Sequence, residues 1–127
     1  MRPEWQQIDD EQCRLFHASV ELIGRRWSSA ILLAMSRGAY RFSEIHASVP
    51  GLSDRMLARR LRELSAAEIV TRDVVPSTPV QVIYRLTPQG HELMAALQPL
   101  VRWGVRWHGE VGRHGEANRA EAERDAG

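Results

Sequence analysis

Arginines recur on one side of a segment in the middle of the chain. At about 100° per residue, Arg55, Arg59 and Arg62 lie within about 60° of one another on a helix. The opposite side carries three leucines that are able to pack against a core: Leu57, Leu61 and Leu64. Guanidinium groups bind phosphate and guanine through paired hydrogen bonds. The pattern therefore predicts an amphipathic helix that contacts nucleic acid, and its alternative is a solvated surface helix.

The elements that precede this helix are also helical. Apolar residues at helical spacing predict a first helix that ends at Gly24 and a second helix over Trp27 to Arg37. Ser43 is expected to cap a short helix, and Ser53 is expected to cap the arginine-bearing helix, which ends at about residue 66. A Pro-Gly turn separates these two helices. This order is that of a helix-turn-helix, in which the longer helix enters the major groove of DNA.

A β-hairpin is predicted after the arginine-bearing helix. β-Branched and alternating residues run from Ile69 to Pro76 and from Val80 to Leu86, and residues 77–79 join the two segments. Gln81 and Arg85 lie on one face of the second strand and Tyr84 lies on the other. The order of elements predicts an α+β fold that is mainly α. We expect a winged helix-turn-helix with a recognition helix at about 53–66 and a two-stranded β-hairpin wing at about 69–86.

A last helix is predicted over about 87–108, because Thr87 can cap it and Pro88 suits its first position. Pro99 is expected to kink this helix near residue 98. From about Gly109 the sequence has no apolar stripe, so residues 1–109 are expected to form one domain and residues 110–127 a flexible tail. Apolar residues of the last helix predict a dimer interface, with packing on its own domain as the alternative. They are Leu93, Leu97, Leu100, Trp103, Gly104 and Trp107.

The net charge of +1 conceals an uneven distribution. Residues 25–72 contain nine arginines against four acidic residues, whereas residues 1–24 contain two arginines against five. A positive middle segment favours association with DNA. The 127 residues are 43% apolar and 26% charged, as in one soluble globular protein, and they show neither a long apolar run nor a secretory signal. We expect a cytoplasmic protein without a membrane segment.

Side chains that could catalyse a reaction or hold a metal form no motif. A single cysteine, Cys13, excludes an intrachain disulfide and a multi-cysteine metal site. His17 and Glu21 are four residues apart, which is commoner for a surface ion pair than for a ligand pair. We therefore expect no enzyme, no metal and no cofactor. The histidines outside any metal or nucleophile motif are His17, His46, His91, His108 and His114.

Spaced segments of the chain form a recognisable set. They are Cys13, Ile23-Gly24-Arg25-Arg26-Trp27-Ser28, Arg41-Phe42-Ser43-Glu44-Ile45, Pro50-Gly51-Leu52-Ser53, Met56-Leu57, Arg60-Leu61-Arg62-Glu63-Leu64, Tyr84-Arg85-Leu86-Thr87 and Trp103-Gly104. Together they resemble the HxlR-type regulators, a branch of winged helix-turn-helix transcription factors related in architecture to the MarR group. The resemblance covers most of the chain.

This resemblance implies a sequence-specific DNA-binding transcriptional regulator. It implies a homodimer whose terminal helices pair, with two recognition helices in successive major grooves of a palindromic operator and wings that reach toward the minor groove. Arg55 and Arg59 are expected nearest to the base edges, whereas Arg60 points toward the flank of the leucine face and has an ion pair with an acid of its own domain as its alternative. The DNA-binding candidates are Ser53, Arg55, Met56, Arg59, Arg62, Arg41, Arg60, Gln81 and Arg85.

The sequence departs from the family pattern at three positions. Gln81 stands where an arginine is common near the wing tip, which puts a charged minor-groove contact there in doubt. Glu68 replaces the glycine that usually closes the recognition helix, so the turn must differ or carry strain. Arg25 replaces a glycine before Trp27, which affects the turn between the first two helices.

The family resemblance also makes Cys13 the candidate sensor, because many members hold at this place a thiol that responds to oxidants, quinones or aldehydes. Arg14 and the first turns of the helix favour the reactive thiolate, whereas three nearby acidic residues oppose it. Oxidation would give an intersubunit disulfide or a mixed disulfide with a small thiol. Three alternatives stay open: a merely structural Cys13, an inducer that is a small ligand at the dimer cleft, and a winged-helix docking module that binds protein and not DNA.

Overall fold

The computed structural model describes the backbone of residues 7–126 and the side chains of residues 7–109. The chain divides into two compact units, and the boundary between them lies between His91 and Glu92. The described residues form helices and a two-stranded sheet, which confirms the expected mainly helical α+β fold. In chain order the elements are α1 (Asp10–Gly24), α2 (Ser28–Ser36), α3 (Phe42–Ser48), α4 (Asp54–Ala66), β1 (Val70–Val75), β2 (Gln81–Leu86) and α5 (Pro88–Ala126).

The core of the first unit lies among α2, α3, α4 and the start of β1. Leu57, Leu61 and Leu64 of α4 expose no more than 2% of their surface, as the leucine spacing predicts. Full burial of a leucine side chain contributes about 1.5 to 3 kcal/mol of transfer free energy. These three residues therefore hold α4 in place while the opposite side of the helix stays in solvent. Their buried partners include Ile31, Leu32, Met35, Ile45, Ile69 and Val70.

Local hydrogen bonds fix where α1 and α4 begin. The Ser53 hydroxyl accepts a hydrogen bond from the Met56 amide at 3.1 Å, as predicted for the cap of α4. Asp9 and Gln12 form a capping box at the start of α1. The predicted cap of the short helix is wrong, because α3 begins one residue before Ser43, at Phe42, with extended Arg41 as its N-cap. Phe42, the first residue of α3, is half-buried, and Ile45 one turn later is buried.

The wing is an antiparallel hairpin whose register separates its two faces. Val70 pairs with Leu86, and Arg72 pairs with Tyr84. Because side chains alternate along a strand, Arg72 and Tyr84 share the face of buried Val70. Both strands are slightly shorter than predicted, since they leave out residues 69, 76 and 80. The loop over residues 76–80 is exposed, and it contains no basic residue.

Two non-glycine residues adopt a left-handed backbone in turns that bound α2 and α4. Glu68 has φ of 61°, so the turn after α4 keeps a conformation that costs about 1 to 3 kcal/mol without glycine. This is the strain that the sequence anticipated. The turn before α2 instead places the left-handed conformation at Trp27, with φ of 81°, while Arg25 is extended with φ of −62°. Arg25 therefore needs no glycine-like freedom.

Thr87 joins the start of α5 to the segment that follows α4. Its hydroxyl accepts a hydrogen bond from the Gly90 amide at 3.0 Å, which confirms Thr87 as the predicted cap. The same hydroxyl lies 2.6 Å from the Glu68 carbonyl oxygen, and the Thr87 amide donates to the Ile69 carbonyl at 3.0 Å. A Cβ atom at Gly90 would collide with that carbonyl oxygen of Ile69. Only glycine therefore fits at position 90 of this joint.

Helix α5 is longer than predicted. It continues to Ala126, whereas the sequence suggests an end near residue 108. Alanine, glutamate and arginine are strong helix formers, and they sustain the helix across glycines that each weaken it by about 1 kcal/mol. The helix is continuous through Pro99. A bend there and the mobility of residues 110–127 stay predictions. Within the described part of the chain, no helix has both the length and the apolar character that crossing a bilayer requires.

Candidate nucleic-acid interface

The solvent face of α4 carries exposed arginines. Arg55, Arg59 and Arg62 are all exposed, on the side opposite to the buried leucines. Among residues 7–109, neither Arg55 nor Arg62 forms an ion pair, whereas Arg59 Nε lies 3.5 Å from Glu63 Oε1. Unpaired guanidinium groups in solvent are free to bind an anion without first breaking a contact. The structure thus gives α4 the amphipathic arrangement that its sequence predicts.

Glu63 gathers three arginines at the edge of this face. Its Oε2 atom lies 3.1 Å from Arg25 Nη1 and 3.1 Å from Arg60 Nη1, in addition to the contact with Arg59. Burial raises the pKa of Glu63, but the hydrogen bond from Arg25 and the charges of Arg60 and Arg25 outweigh it. The net result is a pKa below the ordinary glutamate value. Glu63 is thus a fixed negative charge within a positive surface.

The Arg60 side chain is largely buried and forms contacts within its own domain. Its side chain is only 12% exposed, and Arg60 Nε donates to the Arg26 carbonyl oxygen at 2.9 Å while Nη1 contacts Glu63. This is the geometry of the alternative given for Arg60, an ion pair within its own domain. The guanidinium connects α4 to the turn between α1 and α2. Arg60 is thus separated from the exposed arginines of the same helix.

Arg41 and Gln81 come together from different elements. Arg41 Nη2 donates to Gln81 Oε1 at 3.1 Å, and Arg41 Nε lies 3.8 Å from Glu44 Oε1. Arg85, on the same strand face as Gln81, is exposed and lies 4.0 Å from Asp73. This hydrogen bond from Arg41 to Gln81 restrains the direction of the Arg41 side chain. A cavity of about 690 Å³ lies between α2, α3 and the hairpin, lined in part by Arg41 and Arg85.

The first turn of α4 carries an acidic side chain that the sequence analysis did not consider. Asp54 is exposed and lies 3.3 Å from His46 Nε2. Ser53 is exposed and Met56 is half-buried, and each takes part in the cap described above. The N-terminal turn of α4 therefore combines a favourable helix dipole with a carboxylate.

Helix α1 contains no buried residue. Cys13 is a free, exposed thiol, and the apolar residues Leu15 and Phe16 expose 60% and 68% of their surface. His17 Nε2 lies 3.1 Å from Glu21 Oε1 in an exposed pair. Our list of interface candidates leaves out α1, although the apolar spacing that predicts the helix could have indicated this open face.

The predicted interface residues of α5 differ in exposure. Leu93, Leu97 and Gly104 are half-buried, and Met94, which is absent from the prediction, is buried. The more C-terminal side chains are open. They expose 55% at Leu100, 50% at Trp103 and 60% at Trp107.

Comparison with known proteins places these features in a family. The family model described as HxlR-like helix-turn-helix matches residues 22–111. YvaP of Bacillus subtilis, an uncharacterized HTH-type transcriptional regulator, is 40% identical over 76% of this chain and 90% of its own length.

Two solved structures are also similar. Diamide-treated YodB of Bacillus subtilis is 42% identical with a TM-score of 0.64, over 72% of this chain and 90% of that chain. The redox regulator HypR in its reduced form is 31% identical with a TM-score of 0.69, over 78% of this chain and 97% of that chain. With its arginine-bearing helix, its hairpin and these relatives, the chain belongs to the HxlR-like helix-turn-helix family of transcriptional regulators.

Proposed function

We propose that this protein is a homodimeric regulator that binds a palindromic operator, with α4 of each protomer in a major groove. The observation that carries the proposal is the exposed arginine row of α4 opposite its buried leucines. A helix held by its apolar face presents side chains of fixed direction to the bases, which sequence-specific recognition requires. Cytoplasmic location follows from this role as part of the proposal.

The candidate residues divide into different roles. Arg55 and Arg59 contact base edges, because they stand on the first two turns of α4. Arg62, Arg41 and Arg85 contact backbone phosphates, which position the protein but carry no sequence information. Ser53 and Met56 shape the helix start, and Gln81 orients Arg41 through its hydrogen bond. Arg60 maintains the domain through Glu63.

DNA binding is tested with the purified protein and the DNA upstream of its own gene. We expect salt-sensitive binding, and Arg59→Ala is expected to weaken it by about 5- to 150-fold, because a bidentate base contact contributes about 1 to 3 kcal/mol of discrimination. The loss is smaller on DNA of random sequence. The measurement is fluorescence anisotropy at two salt concentrations.

Arg37→Ala is the matched control, since Arg37 is exposed at the end of α2, outside α4 and the hairpin. Equal losses from Arg37→Ala and Arg59→Ala would remove Arg59 from the base contacts. A wild-type protein that does not bind DNA even at low salt would instead favour the docking module.

The input signal that we propose is oxidation of Cys13. The thiol is exposed, and relatives of this chain include a protein crystallised after diamide treatment and a redox regulator. Two Cys13 thiols from two protomers give up two electrons and two protons to form one disulfide, and diamide takes these up to become the hydrazine. A disulfide between protomers would restrain how the two recognition helices are spaced.

The Cys13→Ser variant separates thiol input from ligand input. Wild-type protein treated with diamide is expected to lose at least tenfold in operator affinity, to run as a disulfide-linked dimer on a non-reducing gel and to recover with dithiothreitol. The variant should bind as well as the reduced wild type and ignore diamide. An unchanged wild-type affinity after complete oxidation of the thiol would contradict the redox input and leave the small-ligand alternative.

A further inference from the structure

A cleft between α4 and the first strand of the wing contains two arginines. Its volume is about 310 Å³, and it is lined by Ala58, Leu61, Arg62, Ser65, Arg72 and Tyr84. Arg62 belongs to the exposed row of α4, whereas Arg72 lies on β1 and is not among the residues that the sequence motifs single out. Both side chains are exposed, so the cleft opens to solvent at its charged end.

The register of the hairpin explains why Arg72 faces this cleft. Arg72 pairs with Tyr84 and lies on the same strand face as Val70, which is buried where β1 packs beside α4. Asp73, the acidic residue next to it, lies on the opposite face, where it approaches Arg85. The alternation of side chains along β1 therefore removes the nearest carboxylate from Arg72.

Helix α4 supplies no carboxylate to the cleft either. Glu63 is engaged by Arg25, Arg59 and Arg60. Among residues 7–109, no ion pair and no side-chain hydrogen bond involves Arg62 or Arg72. Two like charges that line one cleft repel each other, and an anion bound between them offsets this repulsion. A phosphate group suits such a pair, because each guanidinium group can donate two parallel hydrogen bonds to its oxygens.

The position of the cleft favours a phosphate that belongs to DNA. Arg62 continues the exposed row of Arg55 and Arg59, which spans about 10 Å of helix at 1.5 Å per residue. Because Arg62 belongs both to this row and to the lining of the cleft, a duplex bound along the row reaches the cleft at Arg62. The Ser65 side chain, half-buried in the cleft, adds a hydroxyl donor.

We propose that Arg62 and Arg72 together hold one backbone phosphate of the operator, so that the base of the wing clamps the DNA beside the recognition helix. The proposal rests on the proposed DNA-binding function and deepens it. This contact lets the base of the wing bind DNA, although the loop at the wing tip contains no basic residue. The contact is independent of sequence, so it increases affinity without changing which bases are read.

Salt dependence tests the clamp quantitatively. Each phosphate contact contributes about 0.9 to the slope of log K against log salt concentration. We expect Arg72→Ala to reduce that slope by about 0.9, and to weaken binding by a similar factor on operator and on random DNA. If both arginines hold the same phosphate, the double variant Arg62→Ala with Arg72→Ala loses clearly less than the product of the two single losses.

A control variant, a folding measurement and a phosphate titration complete the experiment. Arg37→Ala is the control for loss of one positive charge, and the thermal midpoint of each variant reports whether it is folded. An unchanged slope for Arg72→Ala, or independent losses in the double variant, would overturn the clamp while wild-type binding keeps the proposed function intact. If inorganic phosphate raises the thermal midpoint of the wild type but not of Arg72→Ala, and DNA affinity is unaffected, the cleft binds a free anion and the proposal is wrong.

Discussion

At the scale of single residues, Glu63 is the carboxylate that pairs with arginines of α4. It is the one carboxylate among the described side chains of α4 beyond the first turn, and it contacts arginines from α4 and from the turn after α1. Its contacts with Arg25 and Arg60 join α4 to that turn. Among residues 7–109, Arg55 and Arg62 form no ion pair with Glu63 or with another acidic residue. Glu63 thus pairs both with Arg25 and Arg60, which join α4 to the turn after α1, and with the exposed Arg59.

We expect Glu63→Gln to lower the free energy of unfolding by roughly 1 to 2 kcal/mol at neutral pH, because charged hydrogen bonds are lost. The folded-state pKa of Glu63 lies below the ordinary value, so its stabilisation is present above the unfolded-state pKa and is lost as the pH falls through the folded-state pKa. The difference between variant and wild type should therefore shrink in acid. Urea denaturation followed by circular dichroism, at neutral pH and at about pH 3, measures it.

Glu44→Gln provides the comparison, since Glu44 is more exposed and has only the 3.8 Å contact with Arg41. It should cost a few tenths of a kcal/mol, in line with exposed ion pairs. A Glu63→Gln penalty that persists unchanged in acid would show that packing, and not charge, accounts for it.

At the scale of elements, the sequence predicts helices and strands correctly where interactions within the same element determine them. Ser53, Thr87 and the leucine spacing of α4 predict their elements because caps and apolar faces act within one turn. The cap predicted at Ser43 is wrong, because α3 begins at Phe42 with Arg41 as its N-cap and without a side-chain cap. The predicted end of α5 near residue 108 is too early. The strong helix formers after this point outweigh the weak helix-breaking effect of the glycines.

The candidate site also has parts that the sequence predicts and parts that it does not. The arginine row follows from spacing along one helix, so the sequence predicts it. The ion pairs of Glu63 join the turn after α1 to α4, and the position of Arg72 depends on the register between β1 and β2. Those contacts link residues distant in the chain, and nothing in the local pattern specifies them. Resemblance to a family adds Cys13 but not Arg72.

At the scale of the whole molecule, two helices carry large apolar side chains that are exposed. Large apolar side chains are open on α1, at Leu15 and Phe16, and on α5, at Leu100, Trp103 and Trp107. Exposed patches of this kind mark association surfaces in soluble proteins. We expect a homodimer to cover apolar side chains of this kind, because a two-fold interface pairs the same surface of both protomers.

We expect Trp107→Asp to raise the dissociation constant of the homodimer about 30-fold or more, because a buried interface tryptophan often contributes 2 kcal/mol or more. Analytical ultracentrifugation over a concentration series measures the change. Val80→Asp, an equally open apolar residue in the wing loop with 63% exposure, should leave the dimer intact. A Trp107→Asp protein with wild-type sedimentation would remove this part of α5 from the interface.

The joint at Thr87 has a consequence for how such a sequence can change over generations. Position 90 has no space for a single added carbon, and the carbonyl group that fills that space is held by Thr87 itself. A lineage that gains a side chain at position 90 must therefore also release the carbonyl of Ile69, and with it the turn that closes the recognition helix. Positions 87 and 90 are thus expected to evolve as one unit, whereas the exposed arginines of α4 form no hydrogen bond with this joint and can change independently of it.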